Sequence, residues 1–265
     1  MPSARTRFFN NLDLQPLSRY FKNAMAAYSK NILVSFSNLL LPPICPLCKN
    51  SLEEKGLCEA CLSGFKAITE PLCAVCGVPF VSKTGENHAC AECIIEKIPF
   101  IKARSAVYYD KDAIRAVHCF KYNGDFSFTK AFSTFLAGAY ASLEETGFDT
   151  IVPVPLHDTR LKQRGFNQSL LLARELAKRV GSKVDYLSLV RTRHTPPQVN
   201  LKKKERLDNV KGAFSVKNPS ALKGKKVLLM DDVYTTGATV RECSKVLKKS
   251  GARVFVLTVA RVAKV

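Results

Sequence analysis

The 265-residue chain contains no run of eighteen apolar residues, so no segment offers the length that a membrane-crossing helix needs. Its apolar stretch near the N-terminus, residues 31–41, falls short of that length and ends in Pro42 and Pro43 without a small-residue cleavage site, which argues against a secretory signal. Internal repeats and low-complexity tracts are missing as well, which speaks against a solenoid or fibrous architecture. Acidic side chains are scarce: 22 Asp and Glu stand against 41 Lys and Arg, for a formal net charge of +19. The imbalance is local, because residues 101–265 carry 31 basic and 14 acidic side chains and supply +17 of the total. Such an excess predicts contact with polyanions, whether nucleic acid, an anionic membrane surface or phosphorylated ligands; the plainer reading is a merely soluble basic surface.

What is present suffices for one sizeable domain and a small one, with 46% hydrophobic residues to build a core. Residues 1–41 form a basic, acid-poor extension that reads either as a transit-type segment or as a loosely docked helix.

Residues 42–98 are organised by four Cys-x-x-Cys pairs: Cys45/Cys48, Cys58/Cys61, Cys73/Cys76 and Cys90/Cys93. A two-residue gap lets both sulfurs of a knuckle face one tetrahedral ion, and two knuckles complete a closed structural zinc site, so eight cysteines predict two Zn²⁺ in a double ribbon. Disulfides and a redox Cys-x-x-Cys are the alternatives, and four evenly spread pairs favour zinc. The nine-residue and thirteen-residue gaps favour pairing of neighbouring knuckles, with a cross-braced arrangement as the other option. Four thiolates around each Zn²⁺ would take the formal charge of residues 42–100 from −2 to −6, which directs the ribbon toward a structural or docking role rather than a nucleic-acid surface. His88 reads as an exposed loop residue; Cys119 and Cys243 read as packing residues.

From residue 102 the pattern alternates between strand and helix, the mark of an α/β fold with a mostly parallel sheet and helices on both faces. Strands are predicted over 103–109, 150–153, 184–190, 227–230 and 254–259. Helices are predicted over 112–120, 126–145, 167–180 (stopped by Gly181) and 240–249 (stopped by Gly251).

The chain is organised around residues 227–239, V-L-L-M-D-D-V-Y-T-T-G-A-T. Four apolar residues in a row suit a strand buried on both faces, and the adjacent carboxylates Asp231 and Asp232 stand at its end. Thr235, Thr236, Gly237, Ala238 and Thr239 then lead into a helix, whose N-terminus with its free N–H groups favours an anion. Acceptor-only carboxylates beside a phosphate cradle suit the vicinal hydroxyls of a ribose. A second loop, P-V-P-L-H-D-T-R-L-K-Q-R-G-F-N-Q over 153–168, brings Arg160, Lys162 and Arg164 close enough to converge on a more highly charged group such as pyrophosphate. Taken singly each of these features could be an ordinary turn; together they describe phosphoribosyl pyrophosphate. The segment 191–226 is the most basic of all, and Pro196–Pro197 forbids a continuous helix there, so Arg191, Arg193, Lys202, Lys203, Lys204 and Arg206 are candidates for a lid or a nucleic-acid contact. Phe120, Tyr122 and Phe126, around Lys121, could stack on bases, although core packing is the commoner role for such residues.

The stretch 227–239 resembles the phosphoribosyl pyrophosphate motif of the type I phosphoribosyltransferases at all thirteen positions. With C-P-L-C, V-P-V-P-L-H, R-G-F-N-Q, T-P-P-Q, R-x-x-N-V and D-D-V-Y-T-T-G-A-T in this order, the chain resembles the ComF family (ComFC and GntX proteins) over about 41–260. Two features depart from that pattern, the long N-terminal extension and Asn200 where glycine is common. The resemblance implies a double zinc ribbon followed by a phosphoribosyltransferase-type domain at 99–265, and a role in handling single-stranded DNA during uptake and natural transformation. It also implies a cytoplasmic location, or membrane association through partners, with competence or DNA-processing proteins as those partners. By the same resemblance Asp231 and Asp232 would hold the ribose hydroxyls, Thr235, Thr236, Gly237, Ala238 and Thr239 the 5-phosphate, and Arg160, Lys162 and Arg164 the pyrophosphate, with Mg²⁺ accompanying the ligand. A soluble enzyme of nucleobase salvage, or a zinc-ribbon adaptor with a vestigial pocket, are the competing readings.

Overall fold

A four-stranded parallel sheet carries the chain, in the order β1 (Lys102–Tyr108), β6 (Arg253–Arg261), β5 (Lys226–Tyr234), β2 (Thr150–Pro153). The computed structural model describes residues 42–82, 84–122, 126–195 and 203–263. The N-terminal extension and, of the T-P-P-Q motif, residues 196–198 lie outside them. The described residues of Cys45–Asn50 and Gly56–Val265 form one compact unit. Ser51–Lys55 belongs to the other, in which Leu52 N–H bonds the Pro43 carbonyl (2.7 Å).

The run Val227–Met230 is buried completely, as its lack of polar alternation predicts. Leu228 and Met230 face one side with Phe255 and Leu257 of β6. That side is covered by α4 (Ser127–Ala141) and α6 (Gln168–Val180), which pack on the sheet and on each other. Phe128, Phe132 and Leu136 of α4, and Leu172 and Leu176 of α6, are all buried there, at the helical spacing that puts them on one stripe. Val227 and Leu229 face the other side with Val254 and Val256, in one core with α8 (Ala238–Lys249) and the second cysteine pair-of-pairs.

The Cys-rich segment therefore takes a place in the sheet's core. Ala103 N–H donates to the Val75 carbonyl (2.7 Å), and the buried Arg104 bonds the carbonyls of Ala74 (3.3 Å) and Ser142 (3.0 Å). Each sheet edge is met by one short segment: Ala67 bridges Val107 beside β1, and Val184 bridges Ile151 beside β2.

Three expectations change. The strand predicted over 184–190 is broken, because the Asp185 carboxylate accepts the N–H groups of Leu187 (3.1 Å) and Ser188 (2.9 Å) and so turns the chain after a single bridge. Only β3 (Leu189–Arg191) remains, paired antiparallel with β4 (Phe214–Val216) in a separate small sheet. The central strand runs on through the acid pair to Tyr234. The pyrophosphate-loop candidate contains a helix, α5 (Asp158–Arg164), capped by His157, whose Nδ1 accepts Thr159 N–H, and closed by Gly165 at φ 80°.

Gly77 sits at φ +71°, and a Cβ there would lie 2.5 Å from the Ala103 carbonyl oxygen, where the cysteine module meets β1. Gly77→Ala is expected to destabilise the protein by about 1–3 kcal/mol through strain and displacement of that backbone. Thermal or denaturant unfolding measures it, and an unchanged midpoint would mean that the contact carries no weight.

Candidate functional site

The two motifs meet because β2 and β5 are neighbours in register, Pro153 opposite Met230. After β2 the chain runs through α5 into α6 on one face; after β5 it runs into α8 on the other. The crevice between such strands, outside their carboxyl ends, is where open α/β sheets bind ligands. Here it is a cleft of about 520 Å³ lined by Lys121, Arg160, Arg164, Arg191, Asp231 and Asp232, with Thr235 and Thr239 on the loop side. That volume suits a small molecule.

Both acids are buried. Asp231 Oδ1 accepts from Ser169 Oγ and from Asp232 N–H, each at 2.9 Å. Lys121, in the last turn of α3 (Lys111–Tyr122), places Nζ 2.7 Å from Asp232 Oδ2. Burial alone would pull the lysine pKa down, but the Asp232 and Asp231 carboxylates outweigh it and raise it. Burial, and then the charge of Asp232, push Asp231 up to about 7.

Opposite the acids stand the guanidinium groups. Arg160 donates to the Thr195 carbonyl (3.0 Å), and Arg191 bonds the Thr195 hydroxyl. Arg164 bonds Gln168 Oε1 (2.9 Å) and lies 5.0 Å over the Tyr122 ring. Burial and the neighbouring Arg164 lower the Arg160 pKa; burial and Arg160 lower that of Arg191. Cations crowded against one another at a cost to each are suited to a multiply charged anion.

Not every predicted residue arrives. Arg160 and Arg164 are four apart on α5 and share its cleft face, whereas Lys162 is exposed and Gln163 lines the cleft instead. Thr235 and Thr239 line the cleft, while Thr236 Oγ1 accepts Ala238 N–H (3.4 Å) at the helix start. Gly237, at φ +79°, is the N-cap residue just before α8. Of the lid candidates, Arg191 and Arg206 line the cleft, and Arg193 bonds the carbonyls of Asn209 (3.0 Å) and Lys211 (2.8 Å) at the end of α7 (Lys203–Val210). Lys204 is exposed; Lys202 and the Lys203 side chain lie outside the described residues. Phe120 is core, while Tyr122 and Phe126 are 59% and 56% exposed. Lys121, Gln163, Gln168 and Ser169 line the cleft beyond the predicted set, and no local pattern in the sequence marks them.

The eight cysteines form two clusters, Cys45/Cys48/Cys58/Cys61 and Cys73/Cys76/Cys90/Cys93, so neighbouring knuckles pair. Sulfur separations of 3.5 Å (Cys48 to Cys58) and 3.8 Å (Cys76 to Cys90) are close to the roughly 3.8 Å edge of a tetrahedron with Zn–S bonds of about 2.3 Å. Cys73 Sγ also accepts the N–H groups of Cys76 (3.4 Å) and Cys90 (3.3 Å), bonds that suit a thiolate, so both donor sets fit structural zinc. His88 stacks on Phe80 instead of joining a cluster.

Residues 36–94 match the double zinc ribbon domain family, and residues 167–264 match the phosphoribosyl transferase domain family. Among curated relatives, the DNA utilization protein YhgH of Escherichia coli K12 is 31% identical over 81% of this chain and 94% of its own length. Competence protein ComFC of Bacillus subtilis is 30% identical over 75% and 80%, and competence protein F of Haemophilus influenzae 29% over 78% and 91%. Among the described residues no helix is long and apolar enough to cross a membrane.

The raised Asp231 pKa has a signed consequence. Between the unfolded value of about 4 and the folded value of about 7 the native state holds a proton that the unfolded chain has released, so this residue subtracts stability as pH rises through that window. Asp231→Asn keeps the acceptor for Ser169 and cannot ionise. Its melting temperature should match the wild type near pH 4 and rise above it toward pH 8; an offset constant with pH would overturn the assignment.

Proposed function

The chain belongs to the ComF family, pairing a double zinc ribbon with a phosphoribosyl transferase domain, and we propose that its cleft binds phosphoribosyl pyrophosphate in the service of single-stranded DNA handling. The observation that carries this reading is the convergence, at the β2/β5 crevice, of a carboxylate pair, a helix N-terminus with threonine hydroxyls, and a guanidinium cluster. Asp231 and Asp232 accept from the ribose hydroxyls. The loop 235–239 donates N–H and hydroxyl groups to the 5-phosphate. Arg160 and Arg164, joined by Arg191, take the pyrophosphate.

Transfer would break the bond between the anomeric carbon and the pyrophosphate oxygen while an acceptor nitrogen forms a new bond to that carbon, with the electron pair leaving on pyrophosphate. The chain's part is to fix the ribose between the acids and to neutralise the leaving group through its arginines, without a covalent intermediate. The acid pair is not a vacant cation cage, because Lys121 Nζ already lies 2.7 Å from Asp232 Oδ2 and Asp231 Oδ1 already accepts from Ser169 Oγ and Asp232 N–H. The donor set thus does not fit a protein-held magnesium ion. Any Mg²⁺ would ride on the diphosphate's own oxygens.

Support for the DNA part comes from the relatives named for DNA utilization and competence, and from the +17 excess in residues 101–265. Calorimetry with phosphoribosyl pyrophosphate, with and without Mg²⁺, should show binding by the wild type and its loss in a folded Asp231→Ala/Asp232→Ala variant. Equal binding by both would sink the sugar-phosphate reading. Single-stranded DNA should bind with an affinity that falls steeply with salt, as neutralisation of several phosphates requires; absent or salt-insensitive binding would remove the DNA part.

A further inference from the structure

Beneath the loop 235–239 lies a buried column that leads to the second cysteine cluster. Gly237 closes directly onto the Tyr234 ring: a Cβ there would stand 2.5 Å from the phenolic oxygen. The Arg261 guanidinium lies 3.9 Å from the centre of that same ring. Arg261 in turn donates Nη1 to the Cys76 carbonyl at 2.8 Å and places Nη2 3.6 Å from Cys76 Sγ. Tyr234 and Arg261 are each 2% exposed, and among the described residues no carboxylate pairs with Arg261.

A second connection runs beside it. Arg241, in the first turn of α8, bonds Glu92 (2.6 Å) and Glu96, which flank the knuckle residue Cys93. The helix that begins at the loop is thus tied to the same cluster from the other side.

From this geometry we infer that zinc in the cluster Cys73/Cys76/Cys90/Cys93 sets the shape of the loop 235–239 through Arg261 and Tyr234, so that zinc binding at this site and sugar-phosphate binding at the loop are thermodynamically coupled. The inference rests on the reading of that loop given above. A zinc tetrathiolate carries two net negative charges and fixes the Cys76 carbonyl in place. It therefore supplies both the counter-charge and the acceptor for a guanidinium that is otherwise buried alone, an arrangement costly to leave uncompensated. Arg261 is a positioning residue: it touches the Tyr234 ring and Cys76 and reaches the ligand only through the loop. The cluster Cys45/Cys48/Cys58/Cys61, made by other parts of the chain, serves as an internal control.

Coupling between two ligands is reciprocal, which makes it measurable from either side. With full-length, doubly zinc-loaded protein, equilibrium competition by a chelator is compared with and without phosphoribosyl pyrophosphate. One of the two zinc ions should be held on the order of tenfold more tightly when the ligand is present, the other unchanged. Cadmium-113 replacing zinc should give two resonances, of which the ligand moves one. Arg261→Met should retain both metals, bind the ligand on the order of tenfold more weakly and lose the linkage, with partial recovery in Arg261→Lys. Wild-type protein that binds phosphoribosyl pyrophosphate while neither metal affinity nor either resonance changes would overturn the coupling. The wild-type comparison stands even where the Arg261 variants fail to fold. Absence of ligand binding by the wild type would instead overturn the reading of the cleft itself.

Discussion

The parallel pairing of β5 with β2 is the constraint on which the rest of the molecule depends. Four residues of β2 lie in register with Val227–Met230, 77 positions further on, and that register places the loops that follow the two strands on either side of one crevice. The central strand can occupy that position only because it is apolar on both sides, and so needs cover on both. Helices α4 and α6 provide it on one face. On the other, α8 shares the work with the residues around the second cysteine cluster, Cys73/Cys76/Cys90/Cys93, which thereby becomes part of the sheet's core.

Charge in the cleft follows from the same placement. Asp231 and Asp232 lie inside the strand, where Asp231 loses its hydration and Asp232 gains Lys121. The acid pair is thereby largely neutralised within the protein. Arg160, Arg164, Arg191 and Arg206 line the same cleft, leaving an excess of positive charge that a phosphorylated ligand is suited to relieve. The strong overall basicity of the chain thus has at least one local address.

Much of this was legible in the residue order. The double-faced strand, the hydroxyl-rich turn and the Cys-x-x-Cys pairs are local patterns whose spacing is their chemistry, and the structure places them as that spacing implies. The failures are equally physical. Lys162 looked equivalent to Arg160 and Arg164 so long as the segment was read as a loop; once it coils into α5, residues two apart diverge. Residues 184–190 carry an apolar pattern suited to a strand, yet the Asp185 side chain competes for the backbone N–H groups that a ladder would need. Lys121 and Ser169 reach the acids across 111 and 62 positions, by tertiary packing that no local pattern encodes.

The single bridges at Val107 and Ile151 close the sheet at both ends. Next to β1, Ile68 N–H bonds the Ala106 carbonyl and Tyr108 N–H the Lys66 carbonyl; next to β2, Ile151 N–H bonds the Lys183 carbonyl and Asp185 N–H the Ile151 carbonyl. These flanking segments engage those outward backbone groups of the edge strands but are too short to form a ladder of their own. Among the described residues both edges of the four-stranded sheet are thus met by segments of the same chain, and a strand added there would have to displace those bonds.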